Sequence, residues 1–175
     1  MKKKRICLYY ITLMLFCQYL MGVGLVLPVS AVAINGNQRA AIVDHCDEMH
    51  ENLKTVQKKD RQTRVYLGRL YETILNKFLT PLNVRLVENN LSDAGLIENQ
   101  SKFAEKKSAF TNDYVSYQQA LEEAILADCK NEPEKFYDDL VMARAKRKVV
   151  SQDVASLRKL VTEQISLVGK LKERL

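Results

Sequence analysis

The side chains with the most chemical capability cluster in residues 44–50, where both histidines of the chain stand beside a cysteine. Cys46 and His50 are four residues apart, so on a helix they share one face and are weak candidates for ligands of a soft metal ion. The sequence has no second ligand pair at metal-site spacing, and His45 and His50 lack the spacing of a zinc protease. We therefore expect no metal site and no cofactor.

Other catalytic patterns are missing from the sequence. It contains no nucleophile framed by glycines, no phosphate-binding loop and no dinucleotide fingerprint. The carboxylate pairs Glu122-Glu123 and Asp138-Asp139 stand near lysines and arginines, which is typical of a solvated helix face rather than of general acid–base chemistry. We predict no catalytic residues and a protein that is not an enzyme.

The N-terminal segment has the pattern of a secretory signal. Residues 1–5 are basic, residues 6–27 carry no charge, and Pro28 is followed by Ala31 and Ala33, the small residues that signal peptidase requires. This pattern predicts cleavage after residue 33, which leaves residues 34–175 as a single exported domain, either secreted, periplasmic or in the cell envelope. The uncharged run is also long enough to cross a bilayer, so the alternative is a retained membrane anchor.

The basic character of the chain comes largely from this segment. Four of the 27 Lys and Arg residues lie at positions 2–5, whereas all 21 Asp and Glu residues follow position 43. Without the signal the numbers of basic and acidic residues are nearly equal, so the excess of positive charge typical of a nucleic-acid-binding protein is missing. We expect no nucleic-acid partner, and membrane contact only through an uncleaved N-terminal segment.

Cleavage leaves two cysteines, Cys46 and Cys129, and export favours a disulfide between them. Each lies about 40 residues from the turn predicted near residue 90, so two antiparallel helices would bring them to a similar level. Such a bond would stabilise the fold by about 4 kcal/mol through the entropy of the unfolded chain. The alternatives are two free thiols or a disulfide-linked dimer.

Apolar residues alternate spacings of three and four after the signal, which predicts three long helices at about 38–88, 93–129 and 132–174. The inward-facing seam of the first helix ends with Leu67, Leu70 and Ile74, and that of the second is Leu96, Gln100, Phe103, Lys107, Phe110, Tyr114, Tyr117, Leu121 and Ala124. We expect Pro81 to end or kink the first helix, Ser92 to cap the second and Asn131 to open the third. Short connections force neighbouring helices to be antiparallel. The predicted fold is all-α, an elongated antiparallel three-helix bundle or coiled coil that runs up, down and up.

Two basic stretches, residues 58–64 and 143–148, fall within these helices. The first could contact phosphate groups on a lipid or wall polymer, but we interpret it as a polar section of the bundle. Arg147, at a seam position of the second, either extends its charged end to solvent or specifies register. Tyr66, Tyr71, Tyr114 and Tyr117 predict an aromatic layer, which we interpret as core rather than as a sugar or peptide site.

One similarity covers most of the residues after the signal. Its motifs are Tyr114 and Tyr117 followed by Ala120-Leu121, then Asp128-Cys129, Phe136, Leu140, Ala143-Arg144 and residues 153–158, together with the early Cys46. In these features the chain resembles small exported helical, coiled-coil-like proteins of reduced-genome bacteria, whose function is uncharacterised. The resemblance implies an envelope or secreted location and no particular activity.

The function we expect is a non-enzymatic interaction or scaffold module of the cell envelope. It would bind a partner helix, or a second copy of itself, through an apolar stripe beside the seams. The surplus apolar residues are Val65, Ile125, Leu126, Leu160, Ile165 and Leu167. The alternatives are a membrane-tethered helical spacer, if the anchor is retained, and a holdase-type periplasmic chaperone, although the β-rich body of such chaperones has no counterpart in the sequence.

Overall fold

The computed structural model describes residues 34–174, which are helical almost throughout and include no strand. The α-helices are α1 (Gly36–Asp44), α2 (Cys46–Thr73), α3 (Thr80–Glu88), α4 (Ala94–Leu126) and α5 (Pro133–Arg174). A π-helical segment, Ile74–Leu79, joins α2 to α3. The all-α prediction is confirmed, while the predicted signal, residues 1–33, lies outside the described residues.

The helical stretch from α1 to α3 has one break and one wider turn. The break is at His45, whose backbone angles (φ −107°, ψ 17°) leave the helical region. The wider turn precedes Pro81, where Thr80 donates its N–H to the carbonyl of Leu75, five residues back. Proline lacks an N–H, and its ring crowds the carbonyl four residues back, so the wider turn accommodates it. The helix therefore continues through Pro81 instead of ending there.

The connection after α3 is a Schellman turn. Asn90 adopts φ 57°, in the left-handed region that asparagine tolerates better than most residues. The N–H groups of Asn90 and Leu91 donate to the carbonyls of Val87 and Leu86, at 3.1 and 2.8 Å. These bonds satisfy carbonyls at the end of α3 and stop the helix.

Asp93, and not Ser92 as predicted, caps α4. The Asp93 carboxylate accepts the N–H of Leu96 at 3.1 Å, which is the bond that a cap residue makes three positions ahead. Asp93 also accepts a hydrogen bond from Arg174, at the end of α5. The bond from Arg174, followed by the bond from Leu96, lowers the pKa of Asp93. One aspartate therefore ties together the start of α4 and the end of α5.

The connection between α4 and α5 is organised by Asp128. Its Oδ1 atom accepts the N–H groups of Lys130 and Asn131, both at 3.1 Å. This Asx-type turn holds residues 128–131 out of the helix, so α5 begins at Pro133, two residues later than the predicted opening at Asn131. Proline is favoured at the first helical position because its missing N–H would have no partner there.

Three groups of buried side chains form the core. They are Ile42, Cys46, Ala127, Cys129 and Phe136; then Tyr71, Leu79, Phe103, Phe110 and Leu157; then Tyr114, Tyr117, Ala120, Leu121 and Ala143. The second and third groups contain α4 residues together with residues of α5, so α4 is the helix on which the others pack. Within residues 34–174 no helix is both long and apolar enough to span a membrane.

The other two long helices approach α4 unequally. The α5 helix packs closely along α4, with Ala120 and Ala143 in one buried group. The α2 helix meets α4 at fewer places, and among the described residues no Cα atom of α2 lies within 8 Å of a Cα atom of α5. Small side chains let two helices approach closely, whereas larger ones hold them further apart. A space is therefore left between α2 and α5.

The predicted seam fits the burial in α4 better than in α2. Seven of the nine α4 seam residues are buried, namely Leu96, Phe103, Phe110, Tyr114, Tyr117, Leu121 and Ala124. The other two, Gln100 and Lys107, are half-buried. In α2, Leu70 was expected inside but is exposed, and Tyr71 is buried instead. A strict seven-residue repeat assumes 3.5 residues per turn, whereas an α-helix has about 3.6, so the inward face moves to the next residue after several turns.

Candidate functional site

Cys46 and Cys129 form a disulfide, with their Cα atoms 5.6 Å apart. Cys46 is the first residue of α2, and Cys129 lies in the connection between α4 and α5. Both are buried in the core group that contains Ile42 and Phe136. The bond joins residues separated by 83 positions, so it removes a large loop from the unfolded chain.

His50 lies against this disulfide. Its Nε2 atom is 3.1 Å from the carbonyl oxygen of Ala127 and 3.5 Å from the sulfur of Cys129. The potential ligand atoms of Cys46, His50 and Cys129 all lie within 4.8 Å of one another, so Cys129 joins the two metal-ligand candidates that the sequence indicated. Sulfurs in a disulfide are not the thiolates that bind metal ions. These three residues are therefore a ligand set only in the reduced protein.

A polar network around Asp60 joins α2, α4 and α5. Asp60 accepts a hydrogen bond from the Tyr117 hydroxyl at 2.6 Å and two from the Arg147 guanidinium at 2.9 and 3.0 Å. Burial, followed by the bond to Asp60, raises the pKa of Tyr117. The same carboxylate raises the pKa of Arg147. Tyr117 and Arg147 therefore stay protonated near neutral pH and act as donors that link three helices.

The four tyrosines that predicted an aromatic layer have different surroundings. Tyr71 packs edge-on against Phe110, with ring centroids 5.4 Å apart, whereas Tyr66 is exposed. Tyr114 is buried, and the guanidinium carbon of Arg64 lies 5.3 Å from its ring centroid, a cation–π arrangement. The buried hydroxyl of Tyr114 has no hydrogen-bond partner among the described residues.

A cavity of about 470 Å³ lies beside this network, lined by residues of α2, α4 and α5, and we call it the central cavity. Its apolar lining consists of Leu67, Phe110, Tyr114, Tyr117, Val150 and Val154, and its cations are Arg64, Arg144, Arg147 and Lys148. The volume is within the range of small-molecule sites, about 300–1,000 Å³. The two basic stretches of the sequence thus contribute to one site, a convergence that linear spacing did not reveal.

A second candidate surface lies where α3 meets the start of α4. Val84, Val87 and Leu91 recur at spacings of three and four, and Ile97 lines the same groove of about 290 Å³ as the two valines. The exposed fractions of these four residues are 49, 56, 37 and 47% in that order. We call them the connection patch. Val84 and Val87 lie one turn apart on α3, Leu91 follows the turn at Asn90, and Ile97 lies on α4, so the patch combines residues of two helices and their connection. A group of partly exposed apolar side chains is typical of a surface that packs against another helix.

None of the surplus apolar residues named in the sequence analysis belongs to the connection patch. Val65, Leu126 and Ile165 are exposed, whereas Ile125, Leu160 and Leu167 are half-buried. The three exposed residues lie on three different helices, α2, α4 and α5. The connection patch was missed, although the helical spacing of Val84 and Val87 was a signal that could have indicated part of it.

A buried carboxylate between α4 and α5 was also missed. The Oδ1 atom of Asp153 accepts a hydrogen bond from Lys106 at 3.4 Å, and its Oδ2 atom has no partner among the described residues. Burial raises the pKa of Asp153, and the neighbouring Asp113 carboxylate raises it further. Its position three residues after Val150 and four before Leu157 places it on the inward face of α5, which could have indicated its burial.

Comparison with known proteins adds no relative, because no family model, curated protein or solved structure matches the chain. A functional proposal therefore depends on the geometry of the disulfide end, the central cavity and the connection patch.

Proposed function

We propose that residues 34–175 form an elongated three-helix bundle, running up, down and up, and that this bundle is an exported, non-enzymatic interaction module of the cell envelope. The order of contacts between the first two helices supports an antiparallel arrangement. Asp60 meets Tyr117, whereas the later Tyr71 meets the earlier Phe110. The contact of Arg174 with Asp93 supports the same arrangement for α4 and α5.

The connection patch is the observation that carries the interaction function. Full burial of one Val or Leu side chain stabilises a complex by roughly 1.5–3 kcal/mol, so covering four half-exposed side chains offsets much of the entropic cost of association. The patch has a charged rim, because Arg85 and Glu88 are exposed beside the valines. Its occupant would be the apolar face of a helix, from a partner protein or from a second copy of this chain.

The placement of the histidines supports a non-enzymatic role. His50 packs on the disulfide, and His45 pairs with Glu48 on an exposed turn at 3.4 Å. Neither histidine lines the central cavity or the groove of the connection patch. A general base would have to lie within hydrogen-bond reach of the proton that it removes from a bound substrate.

The proposal is tested by replacing two patch residues together, Val84→Asp and Val87→Asp. The matched control is Val65→Asp with Val115→Asp, because these valines are 48 and 47% exposed but lie outside the patch. Sedimentation of the purified exported protein measures self-association. A photo-crosslinking residue at position 87, compared with one at position 115, detects a partner protein in the producing cells.

A concentration-dependent dimer, or a single protein adduct formed from position 87 only, is the expected result. The patch variant should lose it and the control variant should keep it. A protein that stays monomeric and forms no adduct from position 87, or forms equal adducts from both positions, contradicts the interaction function.

A further inference from the structure

We propose that the central cavity is a second binding site, separate from the connection patch, for a single-chain amphiphile with an anionic headgroup. The cavity is lined by α2, α4 and α5, whereas the patch belongs to α3 and the start of α4. The two surfaces have no residue in common, so occupation of one does not require occupation of the other.

The apolar half of the ligand is indicated by the inner lining. Aromatic rings of α4 and aliphatic side chains of α2 and α5 surround about 470 Å³. Phe110 and Tyr117 are each 2% exposed, so these rings are held in place by the core and form a rigid wall. The apolar surface that is still exposed here belongs mainly to the half-buried Leu67, Val150 and Val154, and an alkyl chain in the cavity would remove it from water. Such removal is the main favourable term in binding apolar chains.

The anionic half is indicated by the charges. Four cations and one acid, Asp60, line the cavity, and Asp60 is already neutralised by Arg147 and hydrogen-bonded by Tyr117. Arg64 and Lys148 form no ion pair with another described residue, and the same is true of Arg144. A carboxylate or phosphate headgroup at the rim would pair with these guanidinium and ammonium groups.

The Tyr114 hydroxyl is a buried polar group beside the cavity. Tyr114 lines the cavity, is 5% exposed, and has a hydroxyl without a hydrogen-bond partner among the described residues. A buried polar group without a partner destabilises a fold, and such groups are rare in native proteins. The hydroxyl oxygen exposes almost none of its surface, so a headgroup at the rim can accept its hydrogen bond only after the Tyr114 side chain turns toward the cavity.

The ion pair of Asp60 with Arg147 argues against a helix as the occupant. It bridges α2 and α5 directly, with nitrogen–oxygen distances of 2.9 and 3.0 Å. A helix with its side chains is about 10–12 Å across and would have to break this bridge to lie between α2 and α5. An alkyl chain is thin enough to lie beside it.

Isothermal titration of the purified exported protein tests the proposal with dodecanoate and dodecyl phosphate, both below their micelle concentrations. Dodecyl maltoside and dodecyltrimethylammonium carry the same chain with a neutral or positive headgroup. We expect at least one of the anions to saturate at one per chain and to bind at least about tenfold tighter than either control, as charge-assisted hydrogen bonds require. The tighter of the two anions identifies the headgroup chemistry.

A pair of charge-matched variants localises the site. Arg144→Gln with Lys148→Gln removes two cavity cations, while Lys146→Gln with Arg158→Gln removes two exposed cations of the same helix that do not line the cavity. The first should weaken anion binding about tenfold and the second less than about twofold. Both should leave dodecyl maltoside binding unchanged.

Tyr114→Phe separates a ligand contact from a structural role. Because the hydroxyl has no partner and is not exposed to the cavity, its removal should raise the melting temperature of the ligand-free protein and change its affinity for the anion by less than about twofold. The proposal would be overturned by equal binding of all four amphiphiles or by equal losses in the two charge variants. It would also be overturned if titration with the anion shifted the NMR methyl signals of Val84 and Val87 instead of those of Val150 and Val154.

Discussion

The two long helices that pack on α4 differ in how closely they approach it. The α5 helix lies close along α4, where the buried small residues Ala120 and Ala143 allow close approach. The backbones of α2 and α4 come close at fewer places. Side chains such as Asp60, which is hydrogen-bonded by the Tyr117 hydroxyl, and the disulfide near one end hold α2 in place.

This difference explains where the central cavity forms. Two helices that pack through small residues leave no room between them, whereas a helix that rests on aromatic rings stands further away. The α4–α5 pair therefore supplies a rigid wall, and the looser α2 side supplies the opening. The unequal spacing has testable consequences for stability, and the disulfide has the largest of them.

Removal of the disulfide, by Cys46→Ser with Cys129→Ser, should lower the free energy of unfolding by about 4 kcal/mol. The destabilisation should be greatest in α2, because the disulfide fixes the start of that helix, whereas α5 keeps its own contacts with α4. Hydrogen exchange should show faster exchange in α1 and the first half of α2 than in α4. Equal acceleration of hydrogen exchange in all helices would contradict the proposed difference in stability between α2 and α5.

Enlarging side chains on the two sides should have unequal effects. Ala143→Leu adds volume at the close α4–α5 contact, where the residue is 2% exposed, and should lower the free energy of unfolding by about 3 kcal/mol. Val150→Leu adds volume beside the central cavity and should change it by less than about 1 kcal/mol. Urea denaturation measures both, and similar losses would mean that the cavity side is as tightly packed as the other.

Asp153→Asn tests the one buried acid that we place in the close interface. An amide at this position keeps an acceptor for Lys106 and removes a buried negative charge near the Asp113 carboxylate, so we expect about 1 kcal/mol of extra stability at pH 7. Since the folded-state pKa of Asp153 is raised, its contribution is favourable at low pH and is lost as pH rises through that value. The difference between variant and parent in urea titrations should therefore grow from pH 4 to pH 7, and a constant difference would contradict it.

The smallest effect is expected at the turn beside the connection patch. Asn90→Gly should raise the free energy of unfolding by about 0.5 kcal/mol, because glycine adopts the φ of 57° without a Cβ penalty. Asn90→Ala is the control and should lower it by about 1 kcal/mol. Thermal denaturation distinguishes the two, and a more stable alanine variant would mean that the turn can adopt another conformation.

Sequence periodicity predicts the buried face of α4 well, because a single seven-residue repeat runs along it. Phe103, Phe110 and Tyr117 recur at multiples of seven and are all buried. On α2 the drift between 3.5 and 3.6 residues per turn turns Leu70 outward and Tyr71 inward. The pairing of Cys46 with Cys129 was predictable because compartment and helix length pointed to the same two residues.

The candidate sites were harder to predict, because they depend on distances between helices. The sequence indicated Arg147 and Tyr114 separately, but only the folded chain brings them around one cavity with Arg64. The space between α2 and α5 arises from small differences in helix separation, which heptad spacing does not encode.

Native mass spectrometry of the protein purified from the producing cells, compared with its Val84→Asp, Val87→Asp variant, tests the interaction function most directly. We predict a chain that begins at Ile34, carries an intact disulfide and is held in a complex with a second copy or a partner protein. The complex should be lost in this variant and kept in the control with Val65→Asp and Val115→Asp. A single chain at every concentration without a partner, or a complex that survives in the patch variant, would contradict the proposed function.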